Sequence, residues 1–249
     1  MLAPTKDSVG DWKIGRNLTS PLGALEALSA VTRFAVGEPV YLCGDPTNFW
    51  YRILSGAGRQ CAFAIEGSRQ VVDFLRPGDF FGYDSQEMHT FSVEAIARGT
   101  TVARYPRRCA ERIADSDPFV ARRIRELAFE SISRVQQRTL ILGRGSAREK
   151  ISGFLLEMAD RFRAASTGSV ILPMSRYDIA DYLAMAVETV SRELTSLRER
   201  GVVQFEGVRR IRIRERTALE HAGRDSINMG GTHKIVPVDC LRSRCSALQ

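Results

Sequence analysis

The chain lacks a long apolar segment. No hydrophobic run in its 249 residues approaches the roughly 18 residues that are needed to span a bilayer. The first residues, MLAPTKDSVGDWK, also contain no apolar signal core. The sequence therefore predicts a cytoplasmic protein without a membrane span.

Cysteine and histidine are also scarce. The 5 cysteines form no dense framework, and their odd number favours free thiols over disulfides in a cytoplasmic protein. The 3 histidines are too few for a metal-dependent jelly-roll oxygenase, which needs several histidine and carboxylate ligands. The chain shows no nucleophile–base set and no phosphate-cradling loop. We therefore predict that it is not an enzyme and that it holds no metal or cofactor.

Acidic residues are fewer than basic ones. The 36 Lys and Arg against 29 Asp and Glu give a formal net charge of +7. This balance indicates a polyanionic partner, usually nucleic acid, although many basic proteins bind none. The hydrophobic fraction of 44% is sufficient for a packed core.

Short strand-like runs dominate residues 31–106. Three of them are Phe49–Leu54, Gln60–Ile65 and Gln70–Leu75, and glycine-containing turns separate them. Many short strands at regular spacing predict a β-barrel or jelly roll.

A long helix is predicted to follow at Asp117-Pro118, because Asp suits an N-cap and Pro suits the first helical position. Six residues then recur every three or four positions and form one stripe: Ile124, Ala128, Ile132, Val135, Thr139 and Leu142. A stripe of this length favours dimerisation with a second copy. The alternative is that it packs on its own barrel.

The stretch RYDIADYLAMAVETVSRELTSLRERG has the spacing of a helix-turn-helix motif. Alanine occupies position 184, where such turns often have glycine, and position 186, where a serine cap is expected. A hairpin turning at Glu206-Gly207 follows and resembles a wing. An ordinary helical hairpin is the alternative interpretation.

Three side chains on one face of the second helix are predicted to contact DNA bases: Glu188, Ser191 and Arg192. Alternatively, Glu188 and Arg192 form an ion pair on a solvated face. Strand alternation after the wing turn predicts that Arg210, Arg212 and Arg214 share a face, together with Arg216, and meet DNA phosphates. The alternative interpretation is that this strand face contacts only solvent.

The predicted class is therefore α+β, in five segments. These are a flexible start at 1–27, a β-roll at 28–116, a dimerisation helix at 117–143, a winged helix-turn-helix domain at 146–216, and a poorly ordered tail at 217–249. The tail carries Cys240 and Cys245, which are either open to oxidation or without a role.

Three stretches resemble the CRP/FNR superfamily of bacterial transcription regulators over residues 28–216. RPGDFFG is similar to a turn of that family's double-stranded β-helix, the cyclic-nucleotide-binding-like jelly roll. VETVSR is similar to the recognition helix of its FNR branch, and LGRGSAREKISGFLLEMADR to the entry of the DNA-binding domain in FixK-type members.

The resemblance implies a homodimer that binds double-stranded DNA at inverted repeats similar to TTGAT-N4-ATCAA and acts on RNA polymerase. It also implies that Ser175, Arg176 and Thr189 contact backbone phosphates. FixK-type members commonly activate genes for microaerobic respiration, denitrification or nitrogen fixation.

The chain departs from the family pattern at both of its known sensor sites. No cysteine precedes Cys43, which argues against an iron–sulfur centre of the FNR kind. Met88-His89-Thr90 stands near the position of the Arg-Ser pair that holds a cyclic-nucleotide phosphate. Haem ligation by His89 is a minor alternative. A regulator gated by an uncharged small molecule in the β-roll remains open.

Overall fold

The structure is a computed structural model that describes residues 23–84, 86–162 and 169–222. The chain divides into two compact units, with the boundary between Gln136 and Gln137. Within the described ranges, no helix is both long enough and apolar enough to cross a lipid bilayer. Cys240 and Cys245, the two cysteines of the predicted tail, lie outside the described residues.

The first unit is built on two four-stranded antiparallel sheets. Its described strands are β1 Ala30–Phe34, β2 Pro39–Tyr41, β3 Phe49–Ser55, β4 Gly58–Phe63, β5 Arg69–Leu75, β6 Phe80–Phe81, β7 Ser92–Ala95 and β8 Thr100–Pro106. One sheet has the order β1-β8-β3-β6 and the other β2-β7-β4-β5. Sequence neighbours are thus distributed between two sheets, and the predicted jelly-roll class is confirmed.

An apolar core lies within the β-roll. Its buried members include the aromatic rings of Tyr41, Tyr51 and Phe81, which pack with Ile53 and Val93. Alternate side chains of a strand point to opposite faces, so short runs of mixed polarity suffice to build this core.

Helix α1, Gly23–Glu26, belongs to this unit although the sequence predicts a flexible start up to residue 27. Leu25 is buried in a second core cluster, and the Glu26 carboxylate lies 2.9 Å from Arg52 Nη1. The prediction is therefore wrong for these last residues, because burial of one leucine and one ion pair order them.

Helices α2, Arg107–Ser116, and α3, Pro118–Leu142, follow the sheets. Asp117 Oδ1 accepts a hydrogen bond from the Phe119 N–H at 2.9 Å, which is the predicted N-cap. Along α3, Val120 and Leu127 are buried in the second core cluster.

The predicted apolar stripe of α3 is divided between two environments. Ile132 and Val135 are about half exposed, at 52% and 53%. Ile124, by contrast, packs against the core cluster of its own domain, which differs from the prediction that it faces a second copy. Phe129 and Leu140 are also exposed on α3, and they were not predicted because they lie off the periodic stripe.

The second unit contains the remaining elements. These are α4 Ala147–Arg161, β9 Val170–Ile171, α5 Arg176–Leu183, α6 Val187–Glu199, β10 Val203–Phe205, β11 Arg210–Ile213 and α7 Arg216–Ala222. The predicted capping box of α4 is present, since Ser146 and Glu149 exchange side-chain-to-backbone hydrogen bonds. The three strands form one antiparallel sheet in the order β10-β11-β9.

Helix α7 corrects the prediction that the chain is poorly ordered from residue 217. Leu219 is fully buried, and Arg216 Nη1 lies 3.1 Å from Asp160 Oδ1 on α4. Arg216 and Glu220, four residues apart, also form an ion pair at 3.0 Å. This helical i,i+4 spacing is the sequence signal that could have predicted α7.

Candidate nucleic-acid interface

Helix α5 is closed at its N-terminus by its own side chains. Ser175 Oγ accepts a hydrogen bond from the Asp178 N–H at 3.1 Å and donates one to Asp178 Oδ2 at 2.8 Å. The same carboxylate accepts from the Ser175 N–H at 2.9 Å. This capping box satisfies amide groups that a helix N-terminus otherwise leaves unpaired.

The turn between α5 and α6 contains a residue in the left-handed region. Ala184 has φ +51° and ψ +58°, and it is the only non-glycine residue with positive φ in the described part of the chain. The carbonyl oxygen of Ala180 accepts from the N–H groups of both Ala184 and Met185. An L-residue in this conformation costs about 1–2 kcal/mol, which explains why glycine is often found at this position.

Helix α6 buries one face and exposes another. Val190, Leu194 and Leu197 are buried, as the sequence spacing predicts. Glu188, Ser191 and Arg192 are exposed, so the structure brings together all three predicted base-contacting residues. Ala186 is the N-cap residue and provides no side-chain hydrogen bond.

The alternative interpretation of this face, an ion pair between Glu188 and Arg192, is not realised. Within the described residues, neither side chain has an ion-pair partner. The neighbouring Glu193 instead approaches Arg148 of α4 at 3.7 Å. Both side chains of the predicted pair therefore remain exposed on α6.

Three residues of the helix-turn-helix motif were expected to contact DNA phosphates. Their surroundings in the structure differ. Ser175 is exposed, although its hydroxyl is engaged in the capping box. The Arg176 guanidinium lies 5.1 Å from the Phe205 ring centroid, a cation–π contact that sequence reasoning missed. Burial lowers the pKa of Arg176, yet an arginine stays cationic at neutral pH. Thr189 is half-buried on α6.

The wing is an antiparallel hairpin of β10 and β11. Val203 pairs with Ile213 and Phe205 with Ile211, and the Glu206 N–H donates to the Arg210 carbonyl oxygen at 2.8 Å. Gly207 has φ +101°, so the turn falls at the predicted position.

Two of the three predicted wing arginines share a strand face. Arg210 and Arg212 flank the buried Ile211 on β11. Arg212 Nε lies 2.6 Å from Glu206 Oε1, and Ser169 Oγ donates to Glu206 Oε2 at 2.7 Å. The hydrogen bond from Ser169, followed by that from Arg212, lowers the pKa of the Glu206 carboxyl.

The prediction that Arg214 and Arg216 continue this face is wrong, because β11 ends at Ile213. Arg214 lies beyond the strand, is exposed, and donates from Nε to Gln204 Oε1 at 3.0 Å. Arg216 belongs to α7 and is paired with carboxylates, which raise its pKa. The strand alternation rule fails here because the chain changes from strand to helix within three residues.

The β-roll contains a buried histidine, His89, in the stretch Met88-His89-Thr90, which by sequence resemblance stands near the position of a phosphate-binding Arg-Ser pair. His89 Nδ1 lies 2.8 Å from Asp84 Oδ2, and its ring stacks on Tyr41 with a centroid distance of 3.7 Å. Met88 beside it is exposed. A carboxylate at this point repels a phosphate, so these residues do not fit a cyclic nucleotide. Among the described residues, no group of three or more potential metal ligands occurs.

Two protein-family models match the chain. Residues 31–117 match the model of the cyclic nucleotide-binding domain, and residues 149–222 match that of the Crp-like helix-turn-helix domain. The second match extends to the end of α7.

Curated relatives and solved structures agree with these matches. The chain is 39% identical to the nitrogen fixation regulation protein FixK of Bradyrhizobium diazoefficiens over 73% of this chain and 77% of that protein. It is 37% identical to FixK of Azorhizobium caulinodans over 80% of this chain and 81% of the relative. The solved structure of FixK2 from Bradyrhizobium japonicum is similar with a TM-score of 0.73 at 36% identity, covering 78% of this chain and 96% of that one.

Proposed function

Because this chain belongs to the CRP/FNR family of transcription regulators and is homologous to FixK proteins, we propose that it activates transcription as a homodimer on inverted repeats similar to TTGAT-N4-ATCAA. Glu188, Ser191 and Arg192 contact the bases of each half-site. The observation that carries this proposal is that all three side chains are exposed on α6, with the two charged ones unpaired within the described residues.

The chemistry of these three residues suits the half-site. Arg192 offers two parallel donors to guanine O6 and N7, and Glu188 accepts from cytosine N4. Ser191 donates or accepts according to the base that it faces. Since neither charged group has an ion pair to break within the described residues, binding requires no exchange of partners there at these two positions.

The surroundings of α6 support contact with the DNA backbone. Arg210 and Arg214 are exposed on and beside the wing, and Ser175, Arg176 and Thr189 lie at the first turns of the two motif helices. Cations near phosphates release condensed counterions, so we expect affinity to fall steeply with salt. Arg212, which is paired with Glu206, contributes less than its charge suggests.

The exposed part of the α3 stripe supports dimerisation. Ala128, Ile132, Val135, Thr139 and Leu142 repeat at intervals of three and four residues, which is the spacing of a helix–helix seam. Ile132→Asp should convert the dimer to a monomer in size-exclusion chromatography with light scattering. Phe63→Asp, at an equally exposed apolar residue of β4, is the control and should leave the dimer intact.

The physiological assignment follows the relatives. Several of them are named as regulators of nitrogen fixation, and others as transcriptional activators. We propose that this protein is a cytoplasmic activator of microaerobic, denitrification or nitrogen-fixation genes and that it contacts RNA polymerase.

Fluorescence anisotropy tests the proposal directly. The purified protein, in air and without added ligand, is titrated onto the TTGAT-N4-ATCAA duplex and onto a scrambled duplex of equal composition. A preference of about a thousandfold or more for the first duplex is expected. Equal affinity for the two duplexes would contradict sequence-specific binding in this state.

A second candidate is a regulator gated by an uncharged effector in the β-roll. The observation that favours it is the pair of buried polar atoms Tyr41 Oη and His89 Nε2, which have no hydrogen-bond partner among the described residues. Buried polar groups are normally satisfied, so a small ligand is one way to satisfy these two. Native mass spectrometry that finds a stoichiometric small molecule on the purified protein would favour this candidate.

A further inference from the structure

The C-terminal end of α5 is contacted by a side chain from outside the motif. The helix ends at Leu183, so the Tyr182 carbonyl oxygen lies in its last turn, where carbonyl groups lie beyond the regular helical pattern of hydrogen bonds. Arg138 Nη2 of α3 donates to this oxygen at 3.3 Å. A cation at this end is also favourable because the helix dipole is negative there.

Arg138 contacts the same residue a second time. Its guanidinium carbon lies 4.9 Å from the centroid of the Tyr182 ring, so the planar group covers the ring while donating to the carbonyl oxygen. Arginine suits this dual contact because its guanidinium is flat and carries several donors. A lysine keeps the charge but cannot stack in this manner.

Tyr182 is held from its other end as well. Its hydroxyl donates to Glu157 on α4, with distances of 2.9 and 3.1 Å to the two carboxylate oxygens, and Glu157 pairs with Arg161 at 3.0 Å. The ring also contacts Phe154, with centroids 5.8 Å apart. Tyr182 is therefore fixed by α4 at its hydroxyl and by α3 at its ring face and carbonyl.

The residue two positions further along is the strained one. Ala184 has left-handed backbone angles, and such a conformation persists only where the surroundings determine it. Ala186 follows as the N-cap of α6, so the path through Ala184 sets the direction in which α6 leaves the turn.

We infer that Arg138 is a positioning residue for base recognition: it holds the end of α5, keeps the Ala184 turn in its left-handed conformation, and thereby sets the orientation of α6. The inference rests on the proposed role of α6 in DNA binding. It extends that role to a residue of α3, outside the helix-turn-helix motif and far from the three base-contacting residues in sequence.

A double-mutant cycle tests this role. Arg138→Gln should lower affinity for the specific duplex about tenfold, because Arg138 contacts Tyr182, two residues before the strained Ala184, and neighbouring sites couple energetically. Ala184→Gly removes the strain that Arg138 opposes, so Arg138→Gln should cost clearly less in that background, about threefold or below. Arg138→Lys, which retains only the charge, should give an intermediate loss.

The matched control is Arg125→Gln, which removes an exposed charge from the same helix within the first unit. It should leave the ratio between specific and scrambled duplexes unchanged. An equal loss for Arg125→Gln and Arg138→Gln would overturn the inference. So would a loss from Arg138→Gln that is as large in the Ala184→Gly background as in the wild-type background.

Amide hydrogen exchange separates this inference from the proposed function. In the free protein, Arg138→Gln should speed exchange at Ala184 and Met185, whose N–H groups donate to the Ala180 carbonyl oxygen, by about tenfold or more relative to amides of α4, whatever DNA the protein binds. Unchanged exchange at these amides would overturn the inference even if the wild type prefers the specific duplex. Faster exchange in a protein without sequence preference would support the positioning contact and count against the proposed function alone.

Discussion

Helix α5 begins at a capping box and ends against Arg138, whereas helix α6 begins at Ala186 without a side-chain cap. The polar groups at both ends of α5 are thus engaged within the protein. On the first turns of α6, Glu188 and Arg192 remain exposed and unpaired within the described residues. We expect from this comparison that the capped start of α5 contributes mainly to the stability of the motif and the exposed face of α6 to its specificity. Substitutions in the two helices should therefore have different signatures.

The largest effect is expected on α6. Arg192→Ala should weaken binding to the specific duplex by about 1–3 kcal/mol and relax the preference at the guanine position, because a bidentate contact is lost. The melting temperature should stay within about a degree, since the side chain is exposed and has no ion-pair partner in the described part of the chain. Anisotropy titrations on specific and scrambled duplexes, together with thermal melts, measure both quantities.

Arg198→Ala, at an exposed position in the last turn of α6, is the matched control for Arg192→Ala. It should leave the base preference intact. Equal losses on specific and scrambled DNA for Arg192→Ala would refute its role in base recognition.

A smaller effect is expected on α5, where a substitution should change the stability of the protein and not its base preference. Ser175→Ala removes the capping hydroxyl and should lower the free energy of unfolding by about 1 kcal/mol. Ser175→Thr keeps an acceptor and should retain most of the stability. Urea denaturation of the full chain measures the difference. If Ser175→Ala changed base preference without changing stability, the division of roles between α5 and α6 would fail.

Because α6 begins without a side-chain cap, adding a cap there is expected to raise the free energy of unfolding. Ala186 has φ −67° and ψ 142°, which is the backbone conformation of a capping residue, so Ala186→Ser should add about 0.5–1 kcal/mol to the free energy of unfolding. Urea denaturation of this variant and of the Ser175 variants under the same conditions gives free energies of unfolding that can be compared directly. A destabilised Ala186→Ser variant would show that the first turn of α6 has no room for a cap.

The smallest and least specific effect is expected at the wing. Arg214→Ala should weaken specific and scrambled DNA alike and reduce the slope of log K against log salt by about 0.9. Between 50 and 200 mM salt this slope change corresponds to about threefold in affinity. Titrations at four salt concentrations measure it.

Arg216→Ala removes an equal charge as a control for the wing, but its guanidinium is paired with Asp160 and Glu220. It should alter the salt slope less than Arg214→Ala does. The reverse order would assign the phosphate contact to the start of α7 instead of the wing.

Local sequence patterns were sufficient to predict many of the regular elements, although not helices α1, α2 and α7. The strand runs, the N-cap at Asp117, the helix-turn-helix spacing and the wing turn at Gly207 depend on neighbours within a few residues. Such local rules are physical properties of the backbone and hold wherever the sequence occurs. The failures occurred at junctions, as at Arg214, where a strand gives way to a helix that is held by burial of Leu219.

Partner choice among charged side chains could not be predicted in the same way. The i,i+4 spacing of Glu188 and Arg192 permits an ion pair that the structure does not form, while Arg212 pairs with Glu206 across the hairpin. Ile124 fits the α3 stripe by spacing but packs on its own core. Exposed ion pairs are worth little, so small differences in tertiary surroundings decide which of them form.

By itself, the sequence determined the strand texture of the β-roll, the start of α3, the two helices and wing of the winged motif, and which three side chains share the exposed face of α6. These outcomes follow from local periodicity and capping. Only the tertiary structure decided that Ala184 is held in a left-handed turn and that Arg138, 44 residues before Tyr182, donates to the end of α5. Contacts between distant segments depend on packing geometry, which no local pattern encodes.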